Sequence, residues 1–332
     1  MLVSILINNY NYGRFLTECV NSALMQTHKQ IEVIVVDDGS TDDSVKIAKS
    51  FHEQITFIEQ ANAGQGSAYN TGFSHANGEI VIFLDSDDIL LPNLVERVVE
   101  TFSDPLIAKV QWRLAIIDEQ GKPSGELFPE TLHSGDVSPI VRKFGNYGSP
   151  PGSGNAYRRS ALEGFFGLNI YDWRIGADTL PALVAPFLGN VATLASYGGF
   201  YRIHDKKEST NQFVLNNSPA TPAKAVELAV HSRNAIWQEL SKARYLSTGF
   251  EYEMPAQVKL RLISLRVSPL EHPIDGDSRY QCVRDGINAV IRWPGFSLKK
   301  RILYLAWIGA VALSPQHLAK RIILAGMRRK KG

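Results

Sequence analysis

The sequence predicts an α/β fold, in which a doubly wound, mostly parallel sheet is flanked by helices and followed by a helical C-terminal extension. Three short apolar runs each stop abruptly at polar or acidic residues, as buried parallel strands do; they cover residues 2–7, 31–36 and 80–84. Helical patterns follow these runs over residues 15–26, 44–51 and 66–75. Strands alternating with helices in this way are typical of a doubly wound sheet.

The pattern changes character along the chain. We expect a helix over residues 92–102, entered through a proline, a strand over 108–118, and a Gly/Pro-rich loop over 145–154. Helical patterns dominate after residue 219. The sequence therefore predicts two domains, residues 1–212 and residues 213–332.

Composition narrows the class of protein. The chain has 332 residues, of which 44% are hydrophobic and 20% charged, which is ordinary for a globular protein and argues against disorder or several membrane spans. Cys19 and Cys282 are its two cysteines and have no metal-ligand spacing, so a reducing, cytoplasmic setting is favoured. The apolar run at residues 2–7 lacks a basic leader and is too short for a signal peptide.

Acidic residues follow the third predicted strand in the run Asp85-Ser86-Asp87-Asp88. Carboxylates this close repel one another unless a cation or hydrogen-bond donors offset their charge. Mg²⁺ and Mn²⁺ take such oxygens together with substrate phosphates. The alternative is a solvated acidic turn that caps the helix after Pro92.

The second predicted strand ends at Asp37-Asp38-Gly39-Ser40. A carboxylate here can accept hydrogen bonds from the imide N–H of a pyrimidine or from ribose hydroxyls. Two acidic strand ends in one sheet define one crevice. Alternatively, Asp38 and Ser40 cap the next helix.

Four consecutive segments resemble the family 2 glycosyltransferases, which are inverting enzymes with the GT-A fold. They are Val3-Ser4-Ile5-Leu6-Ile7-Asn8-Asn9-Tyr10-Asn11, Asp37-Asp38-Gly39-Ser40-Thr41-Asp42, Asn62-Ala63-Gly64 with Asn70-Thr71-Gly72, and Asp85-Ser86-Asp87-Asp88. The resemblance implies a nucleotide-sugar donor, a UDP-sugar first, with Mn²⁺ or Mg²⁺ as cofactor. It also implies a glycan or lipid-linked acceptor in envelope polysaccharide synthesis.

The same resemblance implies roles for individual residues near the donor. Asn8 and Tyr10 would flank the base, with Tyr10 stacking on it, and Asp38 would recognise it. The remaining nucleotide-binding residues would be Asn70, Asp85 and Ser86, and Asp87 would hold the metal. The family usually has Arg-Asn where this chain has Tyr69-Asn70, a departure that bears on donor choice.

Weaker similarity continues to about residue 210 and implies the rest of the site. The acceptor or phosphate side would be formed by Ser153, Gly154, Asn155 and Arg202, and His204 would complete the metal or diphosphate site. Asp178 resembles the catalytic carboxylate, and Asp172 is its rival. Direct displacement at the anomeric carbon needs such a base, because the acceptor hydroxyl loses its proton as it attacks. Alternatively, the segment that contains Ser153, Gly154 and Asn155 is a plain connecting loop, and His204 has a structural role.

The C-terminal end is basic. Residues 302–313 are twelve uncharged residues, too few to cross a ~30 Å bilayer core that needs about twenty. Lys and Arg residues surround this run and a second apolar run at 322–325: Lys299, Lys300, Arg301, Lys320, Arg321, Arg328, Arg329, Lys330 and Lys331. The pattern predicts interfacial helices on an anionic leaflet, which would place the protein peripherally on the inner face of the membrane. The alternative is a helix packed on the catalytic domain.

Three other functional classes fit the sequence less well. A catalytically silent module that binds glycans or a partner enzyme would keep this fold, but the aspartates are intact. A nucleotidyltransferase should show a Gly-rich basic signature near the N-terminus, and residues 8–15 hold only Gly13 and Arg14. Nucleic-acid binding is not expected, because the basic tail lacks a recognisable module.

Overall fold

The computed structural model describes residues 1–167, 173–204, 213–215 and 218–327. The strands are β1 Val3–Asn9, β2 Ile31–Asp37, β3 Thr56–Glu59, β4 Ile80–Asp85, β5 Ile89–Leu90, β6 Ile107–Gln111, β7 Leu114–Ile117, β8 Pro123–Phe128, β9 Asn155–Arg158, β10 Asn190–Thr193, β11 Gly199–Arg202, β12 Phe213–Leu215 and β13 Ser218–Ala220. The helices are α1 Gly13–Leu24, α2 Ser44–Ser50, α3 Gln65–His75, α4 Leu94–Thr101, α5 Ser138–Phe144, α6 Thr179–Val184, α7 Pro222–Lys242, α8 Pro255–Val267, α9 Arg279–Arg292, α10 Leu298–Leu313 and α11 Gln316–Met327.

A seven-stranded sheet in the order β10-β6-β9-β4-β1-β2-β3 forms the centre of the N-terminal unit. The strands β4, β1, β2 and β3 run parallel, while β9 is antiparallel to both of its neighbours. Apolar side chains of β1, β2 and β4 are buried, as expected for strands covered on both faces. The structure therefore confirms the α/β fold class with a mostly parallel sheet.

The strand expected over residues 108–118 is in fact two strands. β6 belongs to the seven-stranded sheet, and β7 belongs to a second sheet in the order β5-β11-β7-β8. The chain changes sheets at Trp112, which is wholly buried and whose backbone N–H donates to the Gly154 carbonyl at 3.0 Å. The prediction of one continuous strand was wrong, because the apolar pattern does not show which sheet a residue joins.

The glycine-rich segment after residue 145 also differs in part from the expectation. A loop does cover residues 145–151, and Gly152–Gly154 form one 3₁₀ turn. The chain then enters β9, which lies between β4 and β6 in the middle of the sheet. Asn155, predicted for the acceptor or phosphate side, is therefore a buried strand residue.

The chain forms two compact units, residues 1–138 with 147–205, and residues 139–146 with 206–332. In the second unit, α7, α9 and α10 begin at hydroxyl caps: Thr221, Ser278 and Ser297 each accept a backbone hydrogen bond at 3.2 Å. α8 carries Arg261, which forms ion pairs with Asp277, Glu253 and Asp285 at 2.7, 2.7 and 3.2 Å.

Segment 139–146 joins the helical unit, which the sequence boundary at 212 does not anticipate; the assignment of domains to functions remains a prediction. Across the described ranges, no helix combines the length and the apolar character needed to cross a membrane.

Candidate functional site

Polar side chains meet where β1, β2 and β4 end. The parallel register places Asn8 opposite Asp85 and Asn9 opposite Asp37. The amide of Asn8 donates to Asp85 Oδ1 at 3.3 Å, and the amide of Asn9 donates to Asp37 Oδ2 at 2.7 Å. One edge of the sheet thus gathers the residues that the sequence separates by up to 77 positions.

Gln65, at the start of α3, links Asp85 to the segment that precedes Asp178. Its Nε2 donates to Asp85 Oδ1 at 3.4 Å, and its Oε1 accepts from the backbone N–H groups of Gly176 and Ala177 at 2.8 and 3.0 Å. The preceding Gly64 has φ +93°, and a Cβ there would lie 2.4 Å from Arg174 Cγ. Only glycine allows this close approach of the two segments.

Gly152 lies where Asp85, Asp178 and Tyr69 converge. A Cβ built on it would lie 3.0 Å from the Tyr69 hydroxyl, 3.4 Å from Asp178 Cβ and 3.6 Å from Asp85 Oδ2. Tyr69 itself is stacked on Phe83 with ring centroids 4.2 Å apart, which fixes the direction of its hydroxyl. The absence of a side chain at residue 152 lets its backbone approach the tyrosine hydroxyl and both aspartates closely.

Asp178 directly precedes α6, and its carboxylate lies near backbone N–H groups of Gly152 and Thr179. Burial raises the pKa of Asp178, while these N–H groups and the nearby Lys109 act in the opposite direction. The carboxylate therefore lies beside groups that favour its ionised form, in a site that water reaches only in part. Such a group can accept a proton from a hydroxyl placed against it.

Lys109 is wholly buried beneath this side of the site. Its Nζ donates to the Tyr147 hydroxyl at 2.6 Å, to Ser149 Oγ at 2.7 Å and to Gln111 Oε1 at 3.1 Å. Burial lowers the pKa of this amine well below its usual range. The Tyr147 hydroxyl donates onward to the Ala182 carbonyl of α6 at 3.0 Å, so this network supports the helix that begins after Asp178.

His204 contacts Asp87, the residue that is predicted to hold the metal. Its Nε2 lies 2.7 Å from Asp87 Oδ2, and its Nδ1 lies 3.3 Å from Glu119 Oε1. The imidazole packs against the rings of Tyr12 and Phe15, with centroids 5.4 and 5.3 Å away. In this geometry His204 orients the Asp87 carboxylate.

Arg202, predicted for the acceptor or phosphate side, is occupied by protein partners. Its side chain is 2% exposed, and it forms an ion pair with Glu18 at 2.6 Å and donates to the Asp87 carbonyl at 2.9 Å. Its backbone N–H donates to Asp88 Oδ1 at 2.9 Å. Through these contacts Arg202 fixes the position of the segment that contains Asp87 and Asp88. Arg202 could contact a phosphate only if it lost some of these hydrogen bonds.

Asp38, predicted to recognise the base, anchors the loop before α3. Its Oδ1 accepts from Gln60 Nε2 at 2.7 Å and from the Ala63 N–H at 2.9 Å, and its Oδ2 accepts from the Gly64 N–H at 2.7 Å. A base would have to share these oxygens. Tyr10 is 47% exposed at the end of β1, and a stacking surface must be accessible in this way.

The other predicted residues lie around this centre. Ser86 and Ser153 are buried, and Ser153 Oγ accepts from the Asp85 N–H at 3.1 Å. Asn155 is wholly buried and donates to the Pro151 carbonyl at 2.7 Å, which holds the turn that contains Gly154. Asn70 Oδ1 accepts from the Gly167 N–H at 3.3 Å, on α3. Asp172 lies outside the described residues.

The carboxylates bear on whether the site fits a divalent cation. Burial, together with the neighbouring Asp87 and Asp178, raises the pKa of Asp85 to about 7. No three His, Cys, Asp or Glu side chains form a ready metal cage in the part of the chain that the structure describes. Because Mg²⁺ and similar ions use one or two carboxylates with substrate phosphates, the donor set of Asp85 and Asp87 fits such an ion.

The match to known proteins agrees with this geometry. Residues 4–166 match the family model described as glycosyl transferase family 2. This segment is therefore a glycosyl transferase family 2 domain. The matched range includes β1, β2 and β4 with the polar residues at their ends, and it stops before Asp178.

Relatives of this chain match different shares of it. An uncharacterised glycosyltransferase of Nostoc is 42% identical over 210 residues, which are 61% of this chain and 65% of the relative. Chondroitin synthase of Escherichia coli is 42% identical over 124 residues, which are 36% of this chain and 18% of that protein. The chain thus spans less than two thirds of either relative.

The fold comparison covers more of the chain. The crystal structure of S. aureus TarS 1-349 in complex with UDP-GlcNAc has a TM-score of 0.57 at 15% identity, over 99% of this chain and 90% of that one. This likeness supports the GT-A fold with C-terminal helices.

We predict that Asp85 makes the stability of the metal-free protein depend on pH. With the pKa of Asp85 raised from 3.8 to about 7, the folded state keeps a proton that the unfolded chain has lost, so stability falls as pH rises from about 4 to 7. Asp85→Asn should remove up to about 1.4 kcal/mol per pH unit of this slope, measured by urea unfolding. The exposed Asp104→Asn is the control. Parallel profiles for wild type and Asp85→Asn would contradict the prediction.

Proposed function

We propose that this chain transfers a sugar from a nucleotide-sugar donor to an acceptor hydroxyl, with inversion at the anomeric carbon. Residues 1–212 would form the transferase domain, and Asp178 would be the general base. The single observation that carries the proposal is the convergence of Asp85, Asp178 and the Tyr69 hydroxyl around Gly152. Two carboxylates that converge at one sheet edge suit a diphosphate-bound cation on one side and an attacking hydroxyl on the other.

The protein groups would divide the work as follows. Asp178, which lies beside backbone N–H groups that favour its ionised form, would take the proton of the acceptor hydroxyl as it attacks. Gln65 would hold the segment that precedes Asp178 in position relative to Asp85. Lys109 and its buried network would fix α6, so that Asp178 does not move during the reaction.

A divalent ion, Mn²⁺ or Mg²⁺, would be held by Asp87 and Asp85, with His204 orienting Asp87. When bound, it would stabilise the negative charge of the departing diphosphate. The residues Asn8, Tyr10, Asp38, Asn70 and Ser86 are proposed for the nucleotide. A UDP-sugar is the proposed donor, supported by the family resemblance and by a shared fold with TarS, which was crystallised with UDP-GlcNAc.

The acceptor would be a glycan or a lipid-linked sugar of the cell envelope, and the protein would lie peripherally on the inner face of the membrane. The helical unit supports this placement. One face of α10 is exposed and apolar at Ile302, Ala306, Ala310 and Leu313. Residues 297–332 contain nine Lys or Arg and no Asp or Glu. Such a helix would rest on an anionic surface with its apolar side inserted.

Replacing Asp178 with Asn should abolish turnover without abolishing donor binding. The isosteric amide cannot accept the proton, so UDP release from a panel of UDP-sugars should fall roughly 10²- to 10⁴-fold. UDP affinity, measured by calorimetry, should stay within about twofold. The matched control Asp104→Asn removes an exposed carboxylate of the same unit. Unchanged turnover in Asp178→Asn would refute its role as base.

Removing exposed apolar side chains from α10 should release the protein from anionic vesicles. Ile302 and Leu313 are 58% and 85% exposed. The double variant Ile302→Ser/Leu313→Ser should reduce co-sedimentation with phosphatidylglycerol vesicles at least about fivefold, because each lost side chain forfeits its burial in the acyl region. The control Leu106→Ser/Leu188→Ser changes two exposed leucines of the N-terminal unit. Equal losses in both variants, or no sedimentation of the wild type, would contradict peripheral association.

A further inference from the structure

The helical unit contains a cavity that the proposed transfer reaction does not use. It lies between α8 and α10 and has a volume of about 160 Å³. Its lining consists of Lys259, Lys300, Leu303, Tyr304 and Trp307. Since a water molecule takes about 30 Å³ of the liquid, this space admits a phosphate group.

The cavity is electropositive. Lys259 is half-buried, and its Nζ lies 4.7 Å from the centroid of the Trp307 ring. Within the described residues, no acidic side chain forms an ion pair with it, and burial lowers the pKa of its amine. Removing part of this ammonium from water costs free energy; the cation–π contact with Trp307 offsets some of that cost, and a bound anion would offset more. Lys300 contributes a second ammonium to the same lining.

The rest of the cavity lining is largely apolar and is continuous with the exposed surface of α10. Leu303 lines the cavity and is also 60% exposed, so it joins the lining to the outer surface of α10. Ile302 lies beside it on that surface and is 58% exposed. An anion bound between the lysines would therefore have apolar side chains next to it on the outside. A compact anionic head with an attached hydrocarbon chain fits this combination better than a fully polar anion does.

We propose that this cavity binds the phosphate headgroup of a phosphorylated lipid, whose acyl chains lie along the exposed face of α10. Lys259 and Lys300 would contact the phosphate, and Leu303 and Trp307 would contact the start of the chains. The proposal rests on the peripheral membrane association proposed above, which it deepens from general charge attraction to a defined site. A diffuse basic surface would not distinguish Lys259 from the other lysines of this unit.

The test uses a lipid that needs no membrane. Dihexanoyl phosphatidic acid, kept below its critical micelle concentration, is titrated into the full chain by calorimetry, with inorganic phosphate and dihexanoyl phosphatidylcholine as parallel ligands. We expect one saturable site for phosphatidic acid and at least about tenfold weaker binding of the other two, because each lacks either the chains or the net charge.

Variants then locate the site. Lys259→Met and Lys300→Met should each weaken phosphatidic acid binding about tenfold, and Lys259→Arg should keep most of it, since a charge-assisted contact is lost in the first two and retained in the third. Lys299→Met is the matched control, because it removes the same charge from a neighbouring exposed position of α10, and it should change affinity less than twofold. Circular dichroism of each variant confirms folding.

Several results would overturn the proposal. If inorganic phosphate binds as tightly as the lipid, the cavity is an anion site without specificity for lipid. If Lys259→Met and Lys299→Met weaken binding equally, the lipid is attracted only by the diffuse positive charge of the unit. The outcome is separable from the proposals above. Sugar transfer is not part of the readout, and loss of vesicle sedimentation with retained binding of the soluble lipid would count against membrane association but not against the site.

Discussion

The electrostatic cost of placing several carboxylates together at one sheet edge shapes the rest of the N-terminal unit. Asp85, Asp87 and Asp178 crowd a half-buried site, and the shift in the Asp85 pKa to about 7 expresses their mutual repulsion and desolvation. A fold tolerates such a cluster only when surrounding groups hold each carboxylate in place. Gln65 and His204 do this from two sides. In the proposed function, a bound cation and its diphosphate would relieve this electrostatic cost.

A structural feature could be predicted from the sequence where it depends on residues that are neighbours in the chain. The polar ends of β1, β2 and β4 follow apolar runs directly, so both the strands and the crevice between them were predictable. Asn155 was not, because its place in a central antiparallel strand depends on pairing with β4 and β6, which lie far away in the chain. The apolar pattern of a short strand does not encode its partner.

The supporting groups of the site were missed for a related reason. Gln65, Tyr69 and Lys109 become part of the site only through contacts with residues 20 to more than 100 positions away. One signal was available: Tyr69 occupies the position where the family usually has arginine, and a departure inside a motif marks a residue worth placing. Arg202 is the opposite case: its positive charge suggested a contact with phosphate, but in the structure its guanidinium forms an ion pair with Glu18.

The most direct test of the central claim, that the acidic edge holds a nucleotide diphosphate through a divalent ion, is calorimetric titration of UDP into wild type and Asp87→Ala, with and without Mn²⁺. The account predicts saturable binding by the wild type that requires Mn²⁺ and is lost in Asp87→Ala. Other nucleoside diphosphates, titrated in parallel, identify the base. Binding of no nucleotide under any condition would contradict the account and favour a catalytically silent module that keeps the transferase fold.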